Sequence, residues 1–138
     1  MKPALAQAFE IEMTAAREAW ARRDLETTFH RLERAHILGQ RSLFPHILTH
    51  LWMLRVGWQR QDRREIAGQL LRLVATLPGA LIGWVPAGNT GGANVSALKP
   101  MPMPPEFEHH FEGDNMRSTV AMRLFALVGL AALIALAV

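Results

Sequence analysis

The sequence predicts an all-α protein: two antiparallel helical hairpins, a long Pro/Gly-rich loop packed on them, and a C-terminal transmembrane helix. Three observations carry this expectation. Apolar residues recur at helical spacing through the first 83 residues, with acidic caps and short breaks between the runs. Residues 78–105 hold 6 of the 8 prolines and residues 79–92 hold 5 of the 10 glycines, which interrupts regular structure. Residues 124–138 contain no polar side chain. The chain divides accordingly into a helical-hairpin domain (1–83), a Gly/Pro-rich loop with an acidic juxtamembrane linker (84–116), and the transmembrane helix (117–138).

The first helix is expected over about Pro3 to Arg22, with Phe9, Met13 (or Ile11), Ala16 and Trp20 on one face. Asp24 can cap a second helix, about Leu25 to Leu38, by accepting from first-turn amides. Gly39 is placed to end it in a left-handed cap. The core stripe of this helix is Leu25, Phe29, Leu32 and then His36, so a histidine stands where a hydrophobe is expected. A third helix starts near Ser42, with Pro45 in its first turn, and runs to about Gln59. Its apolar stripe is Phe44, Ile47, Leu51, Leu54 and Trp58. Asp62 opens a fourth helix with Glu65 three residues on, an Asp version of a capping box. Ile66, Leu70, Leu73, Leu77 and Leu81 mark its buried side, and Pro78 bends or ends it. The short breaks favour antiparallel neighbours.

The tail, LFALVGLAALIALAV, grows to a 21-residue segment when counted from Ser118. As a helix it spans about 31 Å, one hydrocarbon thickness. Arg117 and Arg123 flank its N-terminal end, and the first 20 residues lack an apolar signal-peptide run. The positive-inside rule then puts the body on the cytoplasmic face of the cell membrane, held by a single pass. Ala131 and Ala135 form a small-xxx-small pair that permits a homo-oligomer.

Charge and composition limit the chemistry. Net charge is +3, and 13 of the 15 basic residues are arginine. The absence of cysteine excludes a disulfide framework, a thiolate metal site and a thiol nucleophile. Ser42, Ser96 and Ser118 have no convincing His/Asp context, so no catalytic residue is assigned. No stacking-aromatic pattern accompanies the arginines, which argues against nucleic acid.

One polar constellation stands out. Glu33 and His36 are three residues apart on the second helix, and His46 and His50 are four apart on the third. Antiparallel packing brings the end of one helix beside the start of the next. Glu33, His36, His46 and His50 are therefore candidate ligands for a divalent transition metal such as Zn, Fe, Mn or Cu. Met53 is close to the His46/His50 stripe and offers a soft axial donor. The alternative is a structural network in which His36 bonds a backbone carbonyl, His46 caps a helix and His50 packs on Trp52. His30 faces solvent. The segment Glu106 to Glu112, with His109 and His110, reads as a solvated linker before the span.

Gly88-Asn89-Thr90-Gly91-Gly92 supplies flexible backbone and amides, but lacks the lysine and the preceding strand of a P-loop. The apolar residues around it (Trp84, Val85, Val95, Leu98, Met101, Met103) favour a loop that folds back over the hairpins.

The stretch LERAHILGQ at 32–40, the His46/His50 pair and VPAGNTGGANVS at 85–96 together resemble a bacterial family of short proteins of unknown function, marked by ERAH and VPxGNTGG motifs. The likeness runs over residues 5–106. It implies a small helical protein and no particular reaction, and the apolar tail after Asp114 looks like an addition to the family's usual length. Residues 9–42 also resemble one tetratricopeptide-type helical hairpin, with a turn acid, an aromatic at Phe29 and a small residue at Ala35. A superhelical array needs three or more such units.

Two functions follow as expectations. One is a membrane-anchored cytoplasmic protein with a His/Glu metal site, either a metal-handling accessory or a small metalloprotein. The other is a non-catalytic adaptor. It would present Arg22, Arg23, Arg31, Arg34, Arg41, Arg60, Arg63 and Arg64 to an acidic protein partner or an anionic membrane surface.

Overall fold

The structure, a computed structural model, describes residues 1–82 and 85–112. Among the described residues the fold is all-α, with α1 (Pro3–Ala21), α2 (Leu25–Gly39), α3 (Leu43–Gln59), α4 (Arg63–Ile82) and α5 (Pro105–Phe111). Consecutive helices pack on one another, α1 on α2, α2 on α3 and α3 on α4. Each connection is too short for anything but a turn back.

The α1–α2 and α3–α4 turns are built alike. Arg23 and Gln61 sit in the left-handed region at φ 60° and 55°. The next amide in each reaches back to close the helix, Asp24 N to Ala19 O and Asp62 N to Gly57 O. Each aspartate then caps the following helix: Asp24 Oδ1 accepts from Thr27 N and Asp62 Oδ1 accepts from Glu65 N, both at 3.0 Å. The left-handed cap expected at Gly39 is absent. Gly39 is helical and is followed by Gln40 at φ −58°. A Cβ there would lie 2.8 Å from the Phe9 ring and 2.9 Å from Pro45, so close packing explains this glycine.

The core lies between α1, α2 and α3 and is closed by α5. Phe9, Met13 and Ala16 of α1 meet Leu32, Ala35 and Leu38 of α2 and Met53 and Val56 of α3. Full burial of side chains such as Met13, Leu32 and Leu38 stabilises by about 1.5–3 kcal/mol each. Met13→Ala would cost about 2–5 kcal/mol through the cavity it leaves. Phe107 inserts from α5, so Glu106 to Glu112 is a docked helix rather than a solvated linker. Arg34 ties it down, donating to Glu106 Oε1 at 2.7 Å and to the buried Glu12 at 2.8 Å, with its guanidinium over the Phe107 ring.

Two helix faces are oriented opposite to the expectation. On α4 the expected inward residues Leu70 and Leu77 are exposed, while Glu65, Gln69, Arg72 and Thr76 are buried. On α3 the expected stripe members Phe44, Leu51 and Trp58 are exposed, and Thr49, His50 and Met53 are buried. On α4 the loop explains the inversion. Residues 85–104 have no ladder of their own, so their backbone groups need partners from the helices beneath. Arg72 donates to Gly92 O and Val95 O, Gln69 donates to Gly91 O, and Glu65 accepts from Ala93 N. A helix covered by a loop must turn its polar side inward. α4 also continues through Pro78 to Ile82 instead of ending there.

The expected C-terminal transmembrane helix requires correction. Among the described residues no helix is long and apolar enough to cross a membrane. The two longest, α1 and α4, carry Glu10, Glu12, Arg17 and Glu18, and Arg63, Arg64, Glu65 and Arg72. Residues 117–138, on which the span was placed, lie outside the described residues. The single-pass topology, the membrane as partner and the cytoplasmic-face location all rested on that span and have no support in the structure.

Candidate metal centre

The site begins with the position of His36 on the core stripe of α2, one turn before the helix ends. α3 turns back beside it, bringing His46 in its first turn and His50 one turn further. The three imidazoles form a nearly equilateral triangle. Their ring centroids are 4.8 Å (His36–His46), 4.7 Å (His36–His50) and 4.7 Å (His46–His50) apart. Each ring offers one nitrogen within 4.8 Å of the other two. Ligation at about 2.1 Å per bond separates tetrahedral donors by about 3.4 Å, so ligand geometry needs side-chain movements of about 1 Å.

The proton positions follow from the partners. His36 Nδ1 lies 2.9 Å from Asn89 O. A carbonyl only accepts, so Nδ1 carries the hydrogen and Nε2 keeps the lone pair. That Nε2 is buried and has no partner among the described residues. His50 Nδ1 lies 2.7 Å from Gln69 Oε1. Gln69 cannot present its amide nitrogen there, because Nε2 donates to Glu65 Oε1 at 2.6 Å and to Gly91 O at 2.8 Å. His50 is therefore also an Nδ1–H tautomer with its lone pair on Nε2. Burial favours the neutral rings. It pushes His46 down to about 4 and His50 down to about 3, and it holds His36 well below the ordinary histidine value.

The loop completes the site from above. Asn89 is buried and fully bonded: Nδ2 donates to Ser96 O and Lys99 O, and Oδ1 accepts from Gly91 N. This folds the loop so that Asn89 O faces His36. Gly91 adopts φ +82°, and a Cβ there would lie 2.7 Å from the His36 ring. A cavity of about 420 Å³ adjoins the triad, lined by all three histidines with Gln40, Arg72, Thr76 and loop residues through Leu98.

The sequence candidates are thus divided. His36, His46 and His50 come together, and Glu33 is not a member of that group. Glu33 instead lies 4.0 Å from the exposed His30, with its carboxyl pushed up chiefly by burial. Met53 Sδ lies 3.5 Å from Gln69 Nε2. Gln69, Glu65 and Asn89 orient the triad and were not singled out as site residues in the sequence. Their signal was the Glu65, Gln69, Arg72, Thr76 spacing, a polar stripe at steps of four, three and four. Of the arginines expected to form an adaptor face, Arg31 and Arg34 bind Glu12, Arg60 donates to Leu25 O, and Arg41 covers the Phe111 ring.

A family model described as protein of unknown function (DUF3703) matches residues 3–111. No curated protein and no solved structure matches the chain.

Proposed function

The chain belongs to DUF3703, a family of proteins of unknown function, and from that premise we propose that it binds one divalent transition-metal ion through His36, His46 and His50. The observation that carries this reading is the pair of fixed tautomers. Asn89 O and Gln69 Oε1 hold the Nδ1 protons of His36 and His50, leaving Nε2 lone pairs within a ring of three imidazoles. Metal-ligating histidines characteristically donate the other ring N–H to a carbonyl or carboxylate in this way. A purely structural histidine network satisfies its lone pairs internally, whereas His36 Nε2 has no partner among the described residues.

Three neutral nitrogen donors suit Zn, Cu or Fe better than hard, oxygen-seeking cations. The adjoining cavity leaves room for a fourth, exogenous ligand, the arrangement of a metal-handling or small metalloprotein site. The adaptor reading has less support, because four of its eight arginines are engaged within the fold.

The test is metal content after loading with zinc and desalting, for the wild type and for His46→Ala/His50→Ala. About one equivalent in the wild type and little in the double variant is expected. Equal, negligible metal in both would end the proposal.

A further inference from the structure

The cavity beside the triad has a distinctive wall, and its chemistry limits what can enter. Many of its polar groups are engaged by the protein, while His36 Nε2, Gln40 Oε1 and Arg72 Nε are buried with no partner among the described residues. Thr76 Oγ1 donates to Arg72 O, both amide groups of Asn89 are bonded, and the Nδ1 atoms of His36 and His50 are held by Asn89 and Gln69. The rest of the lining includes Ala75, Pro78, Val85, Pro86, Ala97 and Leu98. A molecule in the cavity therefore finds polar partners at the imidazole edge where the ion would lie, at Gln40 and at Arg72, and apolar wall elsewhere.

Charge decides the sign of that head. Three neutral imidazoles would leave the double charge of the ion uncompensated. Arg72, only 8% exposed, adds a permanent positive charge on the same wall. Its Nε is buried without a partner among the described residues. Glu65 is the nearby acid: its oxygens accept from Gln69 and from Ala93 N, and its charge offsets that of Arg72, so the double charge of the ion remains. A buried cationic site of this kind is stabilised by an anionic fourth ligand. A volume of about 420 Å³ is also far more than a water or hydroxide needs.

We propose that the open position on the ion takes a small monocarboxylate whose aliphatic tail lies along the Ala97 and Leu98 wall of the cavity. This rests on the metal reading above and names the ligand class of the same site. The carboxylate completes the coordination and offsets part of the charge of the ion, while the tail replaces water against apolar side chains. Leu98, two-thirds exposed, stands at the rim and gives the tail its route in.

The test uses the full chain loaded with cobalt(II), whose visible absorption reports its ligands. Acetate, butyrate, hexanoate and the neutral hexanol are titrated separately. Half-saturation is expected to fall with chain length, up to about fourfold per added methylene, the equivalent of about 0.8 kcal/mol of burial. Hexanol should leave the spectrum unchanged. Ala97→Phe fills the cavity and should keep the cobalt spectrum while removing the chain-length dependence. Leu98→Asp, at the exposed rim, should weaken hexanoate at least tenfold and serves if the first variant does not fold. A cobalt spectrum that no carboxylate alters, or one that responds equally to acetate and hexanoate, would overturn this inference alone. The absence of any cobalt spectrum would overturn the metal reading and this inference with it.

Discussion

His50 donates its Nδ1 proton to Gln69 Oε1 at 2.7 Å, and Gln69 can present that oxygen only because Glu65 and Gly91 take its amide hydrogens. The orientation of an imidazole on α3 is therefore set by a residue on α4 and a carbonyl in the loop.

Replacing Gln69 with Leu removes all of these bonds at once. Metal affinity is expected to fall about 10–100-fold, the usual effect of losing a partner that orients a ligand. Stability should drop by about 1–3 kcal/mol, because Gly91 O and His50 Nδ1 are left buried and unpaired. Competition with a chromophoric chelator measures the first and urea unfolding the second. Unchanged affinity would remove Gln69 from the site.

The histidines make metal-free protein acid-sensitive. Burial places His46 at about 4 and His50 at about 3, below the ordinary 6.5. Below pH 6.5 the unfolded chain takes up protons that the folded chain refuses, so stability is fully present above about 6.5 and declines as pH falls toward the folded values. The slope is at most about 1.4 kcal/mol per pH unit for each histidine. Urea midpoints of chelator-treated protein between pH 7.5 and pH 4 should show this decline, and His46→Ala/His50→Ala should flatten it.

Gly91→Ala tests the loop's approach to the ring. The substitution forces a side chain into φ +82° and sets its Cβ 2.7 Å from His36. A loss of about 1–3 kcal/mol is expected from the backbone alone. Metal binding should weaken as well, since the His36 ring must move. Wild-type zinc affinity in this variant would show that the loop position does not matter.

The two hairpin turns offer changes of the opposite sign. Arg23 and Gln61 adopt left-handed backbone at φ 60° and 55°. Glycine accepts that conformation without the Cβ penalty, so Arg23→Gly and Gln61→Gly should each stabilise by about 1 kcal/mol. Thermal unfolding is a sufficient measurement, and a lowered midpoint would contradict the turn geometry.

α3 and α4 carry an outward apolar band that includes Phe44 at 83%, Val74 at 74% and Trp58 at 71% exposed. Such side chains contribute little to folding, so Trp58→Glu and Leu71→Glu should shift stability by no more than about 0.5 kcal/mol. They should clearly reduce binding of a hydrophobic fluorescent dye, because two exposed apolar side chains become charged. A large destabilisation would mean that these residues are packed.

Much of the architecture was legible in the sequence. The 3.6-residue period of Phe9, Met13 and Ala16, the caps at Asp24 and Asp62, and His36 on an apolar stripe are local features, and local features survive folding. The polar side of α4 was misread because two stripes compete there at the same spacing. Leu70 and Leu77 argued for one face, and Glu65, Gln69, Arg72 and Thr76 define the other. The choice between them depends on the loop that covers the helix, which periodicity within α4 cannot report. Glu33 was grouped with His36 on spacing alone, yet three residues along a helix leave two side chains about 60° apart, enough to aim one at the triad and the other at His30.

The carbonyl that fixes the proton on His36 belongs to Asn89, 53 positions later in the chain. The three imidazoles all precede residue 82, so the contact that holds the Nδ1 proton of His36 comes from a separate, later segment of the chain. A chain truncated at residue 82 should bind zinc more weakly than the full chain and sample both His36 tautomers by nitrogen NMR.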